Sequence, residues 1–214
     1  METNLSFRFV KTPGSMPLPP GVARQFKVFG TGQSLEEAPA MVFELDKPHM
    51  RGVTSIRIGP QTAWALECKS RSGTGSWQLR TDADVSIGQI GGRGPLKQGW
   101  QLEVPGSNVQ FSLANPDSVA KQTVRTMLGG DTEALVLLAD GNPVGTLVRK
   151  HRDQAEGKKA GLLSGLKRFV TGRDWVLDIH EPDLRSKIAG QEQQVALAAL
   201  GLVAIVSLEL STAD

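Results

Sequence analysis

The sequence predicts a mainly β protein of a dozen or so short strands whose hydrophobic C-terminal helix is its buried core. Three observations carry that expectation. Short apolar or alternating runs recur along the chain, glycine and proline are plentiful between them, and one terminal segment is apolar on every side of a helix.

The runs are Phe7–Val10, Gln25–Phe29, Met41–Leu45, Ser55–Ile58, Ala63–Cys68, Trp77–Arg80, Val85–Ile90, Trp100–Val104, Val109–Leu113, Val124–Leu128, Ala134–Ala139, Val144–Arg149 and Asp174–Ile179. Each has about the length of a strand. The 24 glycines and 12 prolines suit the many turns such strands need, since glycine supplies positive φ and proline fixes turn geometry. The clearest local unit is Ala134–Arg149, where two apolar runs flank Asp140-Gly141-Asn142-Pro143, residues fitted to a tight hairpin turn. At 214 residues the whole chain, 1–214, fits one domain around one core.

Two regions interrupt the rhythm. Residues 11–21 hold Pro13, Pro17, Pro19 and Pro20 with Gly14 and Gly21, which predicts an extended surface loop, with a proline-recognition ligand as the alternative. Residues 150–172 form the second interruption. Leu162, Leu163, Leu166, Phe169 and Val170 recur there at helical spacing among basic residues, so a basic amphipathic helix is expected between strands. Between Arg149 and Arg173 stand eight basic residues (Arg149, Lys150, Arg152, Lys158, Lys159, Lys167, Arg168 and Arg173) against Asp153 and Glu156, whereas the whole chain carries only +2.

The last element, Glu192–Leu210 (192–210), is apolar all round from Val195 to Val206. Such a helix must be buried. A membrane span needs about 18–20 apolar residues, and this run is shorter, ending at Ser207 and Glu209. The expectation is therefore a central helix inside the barrel, with a tail anchor that recruits Leu208 and Leu210 as the alternative.

Much chemistry is missing from the sequence. Cys68 is the only cysteine, so an internal disulfide and a cysteine-ligated metal cluster are excluded, which fits a cytoplasmic protein. Met1–Lys11 lacks a continuous apolar stretch of signal-peptide type, which argues against secretion. His49, His151 and His180 sit in no catalytic signature, no serine occupies a nucleophile elbow, and the glycine-rich pieces complete neither a dinucleotide fingerprint nor a phosphate loop. No enzyme activity, cofactor or metal is expected. The four tryptophans, Trp64, Trp77, Trp100 and Trp175, fall in expected strands, where large rings fill a core or cap a rim; with no tyrosine and a small net charge, nucleic acid is not expected as a partner.

In the order of its parts the chain resembles the tubby-like superfamily, which includes phospholipid scramblases and LURP-one-related proteins. The matching parts are the hairpin Leu137–Lys150 with Asp140 and Gly141, the run Arg173–Asp178, the connection Pro182-Asp183-Leu184 with Lys187, and the Val195–Leu210 run. The likeness covers roughly residues 130–210 and is only general upstream. It implies a closed antiparallel barrel of about twelve strands around a central helix, and a non-enzymatic, peripheral role at anionic, phosphoinositide-like phospholipid head groups. The scramblase palmitoylation cluster is missing. Asp174 and Asp183 map to the acidic stretch proposed to bind calcium, but its other carboxylate positions are non-acidic here, too few for a cation that takes about six to eight oxygens.

Together these readings nominate Lys158, Lys159, Lys167, Arg168, Arg149 and Lys150 as lipid or anion contacts, and Leu162, Leu163, Leu166 and Phe169 as membrane contacts. The partner expected is an anionic phospholipid surface. The alternative is a structural or protein-interaction barrel without a lipid ligand, in which the same segment packs its leucines on the barrel or meets an acidic partner. Lipid scrambling is a third reading, disfavoured because the final helix is short and central.

Overall fold

Strands that alternate large apolar and polar residues, joined in sequence order, can bury one face only by curling round a filler or packing on a second layer. This chain supplies its own filler. The computed structural model describes residues 5–48, 50–59, 61–70, 75–92, 99–105, 107–115, 134–151, 173–188 and 190–211. The strands are β1 (Leu5–Lys11), β2 (Arg24–Phe29), β3 (Met41–Leu45), β4 (Val53–Ile58), β5 (Gln61–Ser70) and β6 (Ser76–Thr81). They continue as β7 (Ser86–Gly92), β8 (Gly99–Glu103), β9 (Phe111–Ala114), β10 (Ala134–Ala139), β11 (Asn142–His151) and β12 (Arg173–Ile179). A short helix, α1 (Pro182–Lys187), and a long one, α2 (Gln191–Ser211), follow.

Each strand pairs antiparallel with its sequence neighbours, and β1 closes on β12 from Leu5↔Ile179 to Phe9↔Trp175. Closure leaves no open sheet edge. Every expected run has a strand as its counterpart except Val124–Leu128, which lies outside the described residues. Two strands start later than their apolar pattern suggests. β7 begins at Ser86 because Asp84 takes positive φ (61°) and the Val85 amide donates to Thr81 Oγ1, so Val85 belongs to the turn. β9 begins at Phe111 because the Val109 amide donates to Ser107 Oγ in a local turn. The hairpin between β10 and β11 turns on Asp140 (φ 50°) and Gly141 (φ 83°), two successive positive-φ residues that match a primed two-residue turn.

Inward residues of the strands, among them Phe9, Phe26, Phe43, Leu66, Leu113 and Leu177, pack with α2 in a single core. From Val195 to Val206 no α2 side chain is more than 2% exposed, apart from Gly201, which has none. The expected central helix is thus the core of the barrel, although by length and composition Gln191–Glu209 would also pass for a membrane span. Gly201 marks a close approach of helix to wall: a Cβ there would sit 2.9 Å from Phe9 Cζ.

One side of the barrel is buried on its outer face too. Val148 and Val176 alternate with inward Leu147 and Leu177, yet both are buried, as are Ala134 and Val136. Register places them side by side, Val176↔Val148↔Ala134, with Val136↔Ala114 next. Ala114, Val136 and Leu138 form an apolar cluster distinct from the core. This explains why β10 reads as an unbroken apolar run rather than an alternating one. Beside it, Arg8 donates to Asp174 Oδ2 from both Nε (3.0 Å) and Nη2 (2.7 Å), and both side chains are buried.

Two tests follow from this packing. A chain ending at Gly190, or the substitution Leu200→Asp, will not fold cooperatively, because an unfilled barrel or an unpaired buried charge outweighs a total stability of about 5–15 kcal/mol; circular dichroism and thermal melting check it. Asp174→Ala, which removes the buried carboxylate that Arg8 pairs with, will cost about 3–5 kcal/mol in denaturant unfolding, whereas the paired change Arg8→Met with Asp174→Leu will cost much less.

Candidate functional site

In an up-and-down barrel, successive connections alternate between the two ends. Helix α2 gives the ends a direction. It enters from the end where β12 stops, through α1, and finishes beside the end of β1 and the start of β2, where Lys11 Nζ donates to Glu209 Oε2 (3.2 Å) and Arg24 Nη2 donates to the same oxygen. The Arg24 guanidinium also lies over the Phe26 ring, 5.7 Å from its centroid. A carboxylate in the last helical turn opposes the negative end of the helix dipole, and the two cations offset that.

Charge is divided between the ends. Near the end where α2 finishes, the described strand ends and connections carry Lys11, Arg24, Lys47, Arg51, Lys69, Arg149, Lys150 and Arg173 against Glu44, Asp46, Glu67, Asp174 and Glu209, a formal balance of +3. Near the opposite end they carry Glu36, Glu37, Asp82, Asp84, Glu103, Asp140, Asp178, Glu181, Asp183 and Glu192 against Lys27, Arg57, Arg80, Arg185 and Lys187, a balance of −5. The helix dipole runs the favourable way, its negative terminus set among the basic residues.

β11 finishes and β12 begins at the basic end, and the sequence between them, 152–172, adds Arg152, Lys158, Lys159, Lys167 and Arg168 against Asp153 and Glu156. Lys158, Lys159, Lys167 and Arg168, with Leu162, Leu163, Leu166 and Phe169, lie outside the described residues. Arg149 and Lys150 are described, at the end of β11. Arg149 pairs with Trp175 on the inward-facing register and is half-buried, while Lys150 lies on the outer register and donates to Asp178 Oδ2 at 2.8 Å. Both are therefore held within the barrel wall rather than extended from it.

Sequence reasoning passed over Lys47 and Arg51. Both are exposed in the β3–β4 connection, and no ion pair to either is found among the described residues. No run of charge announces them. The signal that finds them is strand parity: once the chain is read as a meander, every second connection shares an end, and their charges can be added.

Other candidates have structural roles. Asp174 is committed to Arg8, and Asp183 sits in the first turn of α1, behind Pro182. Trp64, Trp77 and Trp175 are buried, and Trp77 Nε1 donates to the Met50 carbonyl (3.0 Å). Cys68 packs against the core and its thiol faces the Ser70 carbonyl at 3.4 Å. His180 is half-buried, while His49 and the side chain of His151 lie outside what is described. Among the described residues no group of three or more His, Cys, Asp or Glu is placed to hold a metal ion.

Fold and site together define a twelve-stranded antiparallel barrel filled by its own C-terminal helix, with one positive and one negative end. No protein-family model, curated protein or solved structure matches the chain.

Proposed function

We propose that this protein is a non-enzymatic, peripheral binder of anionic phospholipid surfaces, and that the basic end of the barrel is the face that binds. The observation that carries this reading is the separation of charge: a chain of net charge +2 gathers +3 at one end of a closed barrel, even before the basic sequence between β11 and β12 is counted. A field of that shape orients a molecule as it approaches a negative surface, because the acidic end is repelled while the basic end is drawn in. Each basic residue at an anionic leaflet contributes about 1 kcal/mol. The resemblance to the tubby-like superfamily points the same way, and a cytoplasmic location, facing the anionic leaflet, belongs to the same proposal.

Co-sedimentation with phosphatidylcholine vesicles containing phosphatidylserine tests it. Capture will be strong at low salt, will fall as salt screens charges beyond about 8 Å, and will be slight on phosphatidylcholine alone. Lys47→Glu with Arg51→Glu will weaken capture by more than about tenfold, with thermal stability unchanged because these exposed charges contribute little to folding, and glutamate at Lys158, Lys159, Lys167 and Arg168 will weaken capture as much. Glu36→Lys with Glu37→Lys, at the far end, will not weaken it. No capture at low salt would put the protein-interaction barrel in front.

A further inference from the structure

Charge brings a protein to a bilayer, but only apolar groups gain by entering it. Three large hydrophobic side chains are exposed among the described residues: Met16 (56%), Val53 (43%) and Val85 (57%). Single exposed apolar residues are ordinary on soluble proteins. Their placement here is not. Met16 belongs to the β1–β2 connection and Val53 opens β4, so both lie at the basic end, while Val85, between β6 and β7, lies at the acidic end.

The β1–β2 connection is the proline-rich stretch, and hydrogen bonds shape it. The Thr12 amide donates to the Gln25 carbonyl (3.0 Å), the Met16 amide to the Pro13 carbonyl (3.0 Å) and the Val22 amide to the Pro19 carbonyl (3.1 Å). Met16 thus closes a tight turn that starts at a proline, with its side chain outward. The β3–β4 connection is tied to it: the Ala23 amide donates to the Leu45 carbonyl (2.8 Å) and Arg24 Nη1 to the Pro48 carbonyl (3.0 Å). Lys11 and Arg24 flank the first loop; Lys47 and Arg51 stand in the second, just before Val53.

We propose that Met16 and Val53 are the apolar contacts that seat the basic end in an anionic bilayer, so that the barrel stands end-on with its acidic end toward water. The inference rests on the membrane-binding reading above. Lys47 and Arg51 precede Val53, Lys11 and Arg24, which share Glu209, bound the loop that carries Met16, and that loop is held in hydrogen-bonded turns, so little chain ordering remains to be done on insertion. Methionine, unbranched and polarisable, suits an irregular acyl boundary.

The test uses the full-length chain with its one cysteine changed, Cys68→Ser, since a hydroxyl can still donate to the Ser70 carbonyl. Met16→Cys, Val53→Cys and Val85→Cys are made singly in that background and labelled with an environment-sensitive fluorophore. With phosphatidylserine-containing vesicles, labels at 16 and 53 will shift to the blue and be quenched by lipid-borne quenchers, and the label at 85 will not. Met16→Ser with Val53→Ser, unlabelled, will lose roughly threefold to tenfold in capture at unchanged unfolding temperature. Capture with silent labels at 16 and 53, a shift at 85, or full capture of the double-serine variant would overturn the inference while leaving membrane binding in place. Failure of the unmodified protein to be captured would overturn both.

Discussion

Between Val195 and Val206 the terminal helix has no polar face, and the rest of the fold follows from keeping that surface out of water. An amphipathic helix can be covered by one sheet; a helix apolar all round needs a sheet that goes round it. Closure of β1 on β12 meets that need and removes the sheet edges in the same step. Burial at about 25 cal/mol per Å² makes the helix the largest single contributor to the core. The fit is also specific, since Gly201 admits the ring of Phe9 where a Cβ would force it to shift.

How much of this the sequence disclosed depends on the physics behind each feature. Strands declared themselves by period and by the turn residues between them, and the hairpin at Asp140-Gly141 by chemistry that permits positive φ twice in succession. The helix declared itself by having no polar side. Hidden from a linear reading was the outer apolar strip. The continuous run Ala134–Ala139 signals burial on both faces, but alternation in β12 is masked by Asp174, a charged residue buried in an ion pair with Arg8, far away in sequence. The tail anchor stayed open in the sequence for a similar reason: composition shows that a helix must leave water, not what receives it.

The candidate site was less legible than the fold. A local run of basic residues drew attention to 149–173, whereas the wider asymmetry is assembled from single residues on separate hairpins, Lys11, Arg24, Lys47, Arg51 and Lys69, none of which forms a cluster in sequence. Local charge counting cannot see a field built by topology. Arg149 and Lys150 show the converse, since both belong to the run yet are held in the barrel wall, by inward register in one case and by Asp178 in the other.

The position of the filler at the far end of the chain also constrains how the protein is made. All twelve strands precede α2 in the sequence, so a ribosome releases the entire barrel wall before the element that fills it. During that interval Phe9, Phe26, Phe43 and the other inward rings have no partner of the right shape, and β1 cannot find its lasting neighbour until β12 has been synthesised. Vectorial synthesis therefore presents the strands before their filler, with apolar surface and two strand edges unpaired until α2 follows, the kind of surface that chaperones shield. Closure is in this sense a late event, since it waits for an element that follows every strand.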